Sequence, residues 1–338
     1  MKLLPKFVLI NIVTLFFRLS LHAQDSSRIY KPVIDGTVRA KYEYQPQLSA
    51  GRFEVRNARF SVGGQLDRQV AYKAEIDLSD EGSIKMLDAY VSYTPVAPLE
   101  FTIGQMRVPF TIDAHRSPHQ QYFANRSFIA KQVGNVRDVG ATLRYAYRGK
   151  IPFVLEAGLF NGSGLTNQKD YWAKTLNYSA KIQFALSSPL NLVLSSQSIK
   201  PDSVHINMQD IGINYCMGHL FAEAEFLYKT YAQGAYKDVK AFDGFACYDI
   251  PLKKCFKKIS LLARYDTMTD HSDGMLYNGH LKTTDVARQR FTGGMTISLL
   301  APFVADIRLN YEKYFYHSGD IPKTSEKDKL VAEFMVRF

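Results

Sequence analysis

The chain has 338 residues, with 42 Lys and Arg against 32 Asp and Glu, for a formal charge of +10. After residue 23 no apolar run is long enough to cross a membrane as a helix, which excludes a helical membrane protein. With 21 Tyr and 22 Phe against a single Trp, the composition suits a β-barrel, in which half of every strand faces water.

The chain starts with Lys2 and Lys6, runs apolar from Phe7 to Phe17, and reaches Ser20-Leu-His-Ala23. A basic start, an apolar middle and a small residue at the cut predict a secretory signal peptide over 1–23, with the barrel domain over 24–338. An anchor helix is the weaker reading, because the run is short and broken by Asn11 and Thr14. No Cys follows the cut, so no lipid-anchored terminus is expected. Without Lys2, Lys6 and Arg18 the remainder carries about +7. An exported chain meets no nucleic acid as a routine partner, so anionic solutes and lipopolysaccharide are the partners this charge implies.

Period-2 alternation then recurs along the chain. It predicts strands near 33–44, 53–65, 70–78, 84–94, 99–108, 139–148, 151–160, 174–186 and 190–200. They continue near 206–216, 219–231, 238–248, 258–266, 289–299, 305–316 and 329–338. The last is the clearest: Leu330, Ala332, Phe334, Val336 and Phe338 alternate with Val331, Glu333, Met335 and Arg337. Sixteen antiparallel strands, an even number, predict an all-β transmembrane barrel of the bacterial outer membrane.

The connections alternate accordingly. Leu66–Gln69, Pro95–Pro98, Gly149-Lys150, Ser187–Pro189, Met217-Gly218 and Leu300–Pro302 are tight, as periplasmic turns should be, and only 249–257 is longer. The intervening connections include 109–138, 161–173, 267–288 and 317–328, which are long and polar. Around Glu54–Arg59 the alternation slips phase, which predicts a bulge. Cys216, Cys247 and Cys255 show no CxxC or zinc spacing. Cys247 and Cys255 flank one turn and can pair in an oxidising periplasm; otherwise all three are small packed residues.

The longest connection carries Arg116, Arg126, Lys131 and Arg137 against Asp113 alone, with His115 and His119. It also holds Ile112, Tyr122, Phe123, Phe128 and Ile129, too much apolar surface for an exposed loop. Folded into the barrel, it would narrow the lumen and concentrate anions. The alternative is a surface loop whose basic groups bind lipopolysaccharide.

Arg56-Asn-Ala-Arg59-Phe60, Asp88-Ala-Tyr-Val-Ser-Tyr-Thr-Pro95, Ile103-Gly-Gln-Met-Arg-Val-Pro-Phe110 and Asn125-Arg-Ser127 resemble the phosphate-selective porin O/P family. The resemblance is sharpest over 53–145. It implies a sixteen-stranded outer-membrane porin, usually a homotrimer, with its third outer loop, here 109–138, folded into the pore. It also implies basic groups guiding anions, phosphate or polyphosphate in the best-known members. The arginine ladder of those members is diluted here. Inward candidates Arg59, Arg144, Lys181, Arg264 and Arg308 alternate with acids such as Glu75, Asp77, Glu223, Glu225, Glu312 and Glu333.

No GxSxG, HExxH, P-loop or GxGxxG follows a strand. Ser117 and His119 lack an orienting acid, and Asp270-His-Ser-Asp273-Gly lacks the ligand count of a calcium loop. No enzyme activity, cofactor or metal is therefore expected, nor a plug domain before the first strand. The expected function is a passive channel for small hydrophilic solutes, biased to anions. A non-conducting barrel whose outer loops bind an extracellular partner is the competing reading.

Overall fold

The computed structural model describes residues 31–134, 136–165, 168–200, 204–253, 255–277, 279–317 and 324–338. The expected signal peptide, 1–23, lies outside the described residues.

The fold is a closed antiparallel barrel of sixteen strands. The first eight are β1 (Val33–Gln45), β2 (Ala50–Gln65), β3 (Val70–Asp80), β4 (Ser83–Val96), β5 (Leu99–Arg107), β6 (Arg137–Tyr147), β7 (Phe153–Phe160) and β8 (Asn177–Ser187). Then come β9 (Leu190–Ile199), β10 (Ile206–Met217), β11 (Leu220–Tyr231), β12 (Val239–Pro251) and β13 (Phe256–Met268). The last are β16 (Arg288–Leu299), β17 (Val304–Tyr316) and β18 (Lys329–Arg337). β13 pairs directly with β16. Between them, β14 (His271–Tyr277) and β15 (His280–Asp285) form a separate hairpin in a connection expected to be plain loop.

The pattern is apolar outside and charged inside. In β18, Lys329, Val331, Glu333 and Met335 are buried while Leu330 and Phe334 are exposed. Arg39, Arg290, Arg308, Glu312 and Glu333 are all at most 1% exposed, because they point into a filled lumen. Leu159, Ile103, Phe291 and Phe315 lie on the outside, where lipid replaces water.

Closure joins the first strand to the last, from Thr37 opposite Arg337 to Tyr44 opposite Leu330. Phe338 N donates to Gly36 O at 3.1 Å, and Gly36 N donates to Phe338 O at 2.8 Å. A Cβ at position 36 would sit 2.3 Å from the Phe338 ring, so any larger residue there must displace that ring. That ring also meets Phe60 edge-on at 6.1 Å. No free strand edge is left to face hydrocarbon.

The phase slip in β2 is a bulge. Arg39 opposes Asn57 and Ala40 opposes Val55, leaving Arg56 as the extra residue. The turn expected over 249–257 shortens to 252–255, because β12 runs to Pro251 and β13 starts at Phe256. Cys247 and Cys255 do not pair, and all three cysteines are free thiols. Cys247 faces inward, buried beside Phe245, Leu262 and Phe221, while Cys255 lies in the turn.

Candidate constriction site

The connection between β5 and β6 leaves the wall at a tight neck. Val108 N donates to Val136 O at 2.9 Å, and Phe110 N donates to Val108 O at 2.8 Å. Thr111 then adopts a left-handed φ of 58° and the chain turns into the lumen. Ser127 caps the short helix α1 (Phe128–Val133), accepting from Ala130 N and donating to Asp113 Oδ2 at 2.8 Å. The Arg126 side chain donates to the Asp113 and Arg116 carbonyls, pinning one half of the loop to the other. The Asn125-Arg-Ser127 stretch therefore builds the loop before it does anything else.

Apolar side chains hold the loop inside. Phe110, Phe128, Ile129 and Val133 pack with Met106, Val108, Phe160, Met208, Leu227 and Met268. Burying one such side chain contributes roughly 1.5–3 kcal/mol. Ile112 fills the space left by Gly212, where a Cβ would lie 2.4 Å from its Cδ1. The Arg290 and Arg288 guanidiniums sit over the Phe128 ring at 4.7 and 5.0 Å.

Polar tethers run to one side of the barrel. Thr111 N donates to Ser195 Oγ of β9 at 3.0 Å. Ile112 N and Asp113 N donate to the Glu225 carboxylate of β11. Phe128 N donates to Asp266 of β13, Ala124 N to Asn310 of β17, and the Asn125 amide to Glu312. Arg39 of β1 donates to Ala124 O and Gln121. The loop thus leans on the wall from β9 through β18 to β1. Two spaces remain toward β2–β5, of about 270 Å³ and about 80 Å³, and Arg59 lines both.

This placement sorts the eleven basic residues singled out from sequence. Arg59, Arg126 and Arg137 line the larger space, and Arg59 and His119 line the smaller. The others lie elsewhere. Arg116 pairs with Glu223 at 2.7 Å and stacks on Tyr122. Lys131 pairs with Glu326 of the last outer connection, which also bonds Arg288. Arg264 donates to Asn125 O and Arg308 pairs with Glu333 at 2.6 Å, so both hold the packed wall. Lys181 is buried against the loop and donates to Thr111 O. Arg144 faces Glu100 and Glu156 across its neighbouring strands. His115 is partly buried, and its imidazole is held well below its ordinary pKa, by desolvation first. His119 contacts Arg337 at 3.0 Å; burial, then Arg337, pull it down to about 4.

Sequence reasoning missed Lys85, Arg107 and Leu87, which also line the larger space. Arg107 donates to His115 O at 2.5 Å. Leu87 enters through a second bulge: Glu75 opposes Asp88 and Ile76 opposes Met86, leaving Leu87 extra. The Gln105 amide donates to the Met86 and Leu87 carbonyls at 2.5 and 2.8 Å, satisfying groups that the bulge frees. Gly104 beside it has a φ of 133°, and a Cβ there would lie 2.2 Å from Ala89 O. The Gly104-Gln105 pair was thus visible as a motif, while its purpose was not.

A closed barrel with a lipid-compatible exterior, a charged lumen and an inward loop is the architecture of an outer-membrane channel of the porin class. Residues 35–202 match the family described as phosphate-selective porin O and P, and the chain belongs to that family. Among curated proteins none matches the sequence. Solved structures share the fold. The in-vitro folded OmpT of Vibrio cholerae in its trimer form has a TM-score of 0.60 at 12% identity, over 92% of this chain and 99% of that one. An anion-selective porin from Comamonas acidovorans gives 0.60 at 12%, over 91% and 99%. OprB of Pseudomonas putida in a high-pH structure gives 0.63 at 11%, over 91% and 93%.

Proposed function

We propose that the chain is a passive diffusion channel for small hydrophilic solutes that favours anions, conducting through the off-axis gap between the inward loop and β2–β5. One observation carries this reading. Arg59 pairs with Asp77 at 2.8 Å, Lys85 with Asp80 at 2.7 Å, and Arg137 with Asp88 at 2.6 Å. Arg107 and Arg126 line the same space, and their hydrogen bonds among the described residues go to backbone carbonyls. Neither guanidinium is in a direct ion pair among the described residues, while Asp113 acts on Arg126, and Asp88 and Glu75 act on Arg107, at longer range. Burial pulls Arg126 down only to about 10, so it stays charged at neutral pH. Positive charge between low-dielectric walls raises the local anion concentration, and binding stays weak enough for release.

The apolar exterior faces outer-membrane lipid, and lipopolysaccharide is the neighbour in the outer leaflet. The trimer named for the OmpT structure makes a homotrimer the proposed assembly here, to be checked by native mass spectrometry. Residues 1–23 are proposed as a cleaved leader, and the mass of the exported protein reads this directly. The reversal potential of purified protein in a planar bilayer under a KCl gradient tests the channel. Anion preference supports the reading, and cation preference or none overturns it. Absence of conductance would favour the loop-displaying, non-conducting barrel.

A further inference from the structure

The charge pattern does not separate an inorganic anion from an organic one, but the remaining lining of the larger space does. Leu87, Ala114, Ala130, Val136 and Leu165 line it together with the basic groups, with Ser79, and with Asp77 and Asp80, which are paired to Arg59 and Lys85. They arrive from separate parts of the chain. The β4 bulge turns Leu87 inward, and it is 5% exposed. Ala114 and Ala130 come from the inward loop and are buried. Leu165 comes from the 161–176 connection, which Gln168 ties to Gln105, the same side chain that fixes the bulge. An inorganic oxyanion gains nothing from an aliphatic surface and loses water hydrogen bonds against it. A carboxylate with a hydrocarbon body gains from both halves.

We infer that this space selects organic monocarboxylates with an apolar body, the carboxylate at Arg107 and Arg126 and the hydrocarbon against Leu87 and Leu165. The inference rests on the anion-channel reading and narrows it. At about 30 Å³ per water, a space of about 270 Å³ holds on the order of nine waters, room for a six-carbon acid with water to spare. Each methylene that leaves water on entering should strengthen binding about fourfold when fully buried.

The test is block of the chloride current in planar bilayers by acetate, butyrate, hexanoate and inorganic phosphate at matched ionic strength. Hexanoate should block at a concentration at least tenfold below acetate, and below phosphate. A flat series, or phosphate blocking more tightly than hexanoate, overturns the inference. Leu87→Thr and Leu165→Asn should each cut the hexanoate-to-acetate ratio at least threefold; the ratio cancels any general change in conductance. An unchanged ratio in both variants overturns the assigned site, and Leu165→Asn serves if Leu87→Thr does not fold. The chloride reversal potential separates the two levels. Lost anion preference sinks the channel reading, whereas anion preference with a flat series sinks the organic-anion assignment alone.

Discussion

Replacing Arg126 by Gln removes one of the two guanidiniums at the gap that lack a direct ion pair among the described residues, while Arg116→Gln removes a charge already paired with Glu223. An anion about 4 Å from a guanidinium gains about 1 kcal/mol at a water-like dielectric, more as the dielectric falls. Each 1.4 kcal/mol is a factor of ten, and the same charge repels the cation, so Arg126→Gln should lower the anion-to-cation permeability ratio by about fivefold or more. Reversal potentials at 0.1 M salt read the ratio, and the effect should shrink at 1 M, where the screening length drops to about 3 Å. Arg126 also bonds the Asp113 and Arg116 carbonyls, so Arg126→Lys is the control. It keeps the charge and should keep most of the selectivity. Arg116→Gln should leave selectivity nearly intact but destabilise the loop by about 3–5 kcal/mol, because Glu223 is left buried without its partner. If Arg126→Gln leaves the ratio unchanged and Arg116→Gln shifts it, solutes pass on the other side of the loop and the reasoning fails.

Other outcomes follow from the same contacts. Gln105→Ala strands the Met86 and Leu87 carbonyls and should lower barrel stability by about 1–3 kcal/mol, read as an earlier midpoint in urea unfolding. Gly36→Val forces the Phe338 ring off the seam and should lower the temperature at which the folded barrel loses its compact electrophoretic mobility. His119, held near 4, stays neutral in the native lumen where an exposed His would already be charging. Its contribution is therefore absent above about pH 6.5 and destabilising as pH falls from there toward 4. Below about 4 its new charge beside Arg337 should raise anion preference, and His119→Gln should reduce that acid-dependent rise in reversal-potential measurements. Glu326→Gln leaves Lys131 and Arg288 without their shared carboxylate, so the last outer connection should undock and single-channel conductance should increase.

The barrel was legible because its signal is local. Leu330, Ala332 and Phe334 announce their face by spacing alone, and a tight turn such as Met217-Gly218 announces its end of the barrel by length. The slip at Arg56 was readable for the same reason. What sequence could not give was pairing at a distance. Arg116 meets a carboxylate 107 positions away and Lys131 one 195 positions away. A basic loop residue that looks free in sequence can therefore be neutralised in the fold. Leu87 was hidden for a subtler reason: a bulge reverses which face a residue takes, and the Gln105 that stabilises it sits on the next strand. The hairpin β14–β15 was lost in a polar stretch with no clean alternation.

The tethers between the inward loop and the wall also bear on how such a channel can change. Glu225 is matched to the backbone of Ile112 and Asp113, Asp266 to that of Phe128, and Glu312 to the Asn125 amide. A loop transplanted into a foreign barrel would leave its anchors behind, and the barrel it left would keep the Glu225 carboxylate without the amides that donate to it. New selectivity by loop exchange therefore requires moving the facing strands as well. The natural unit of inheritance in this lumen is the matched pair of loop and wall.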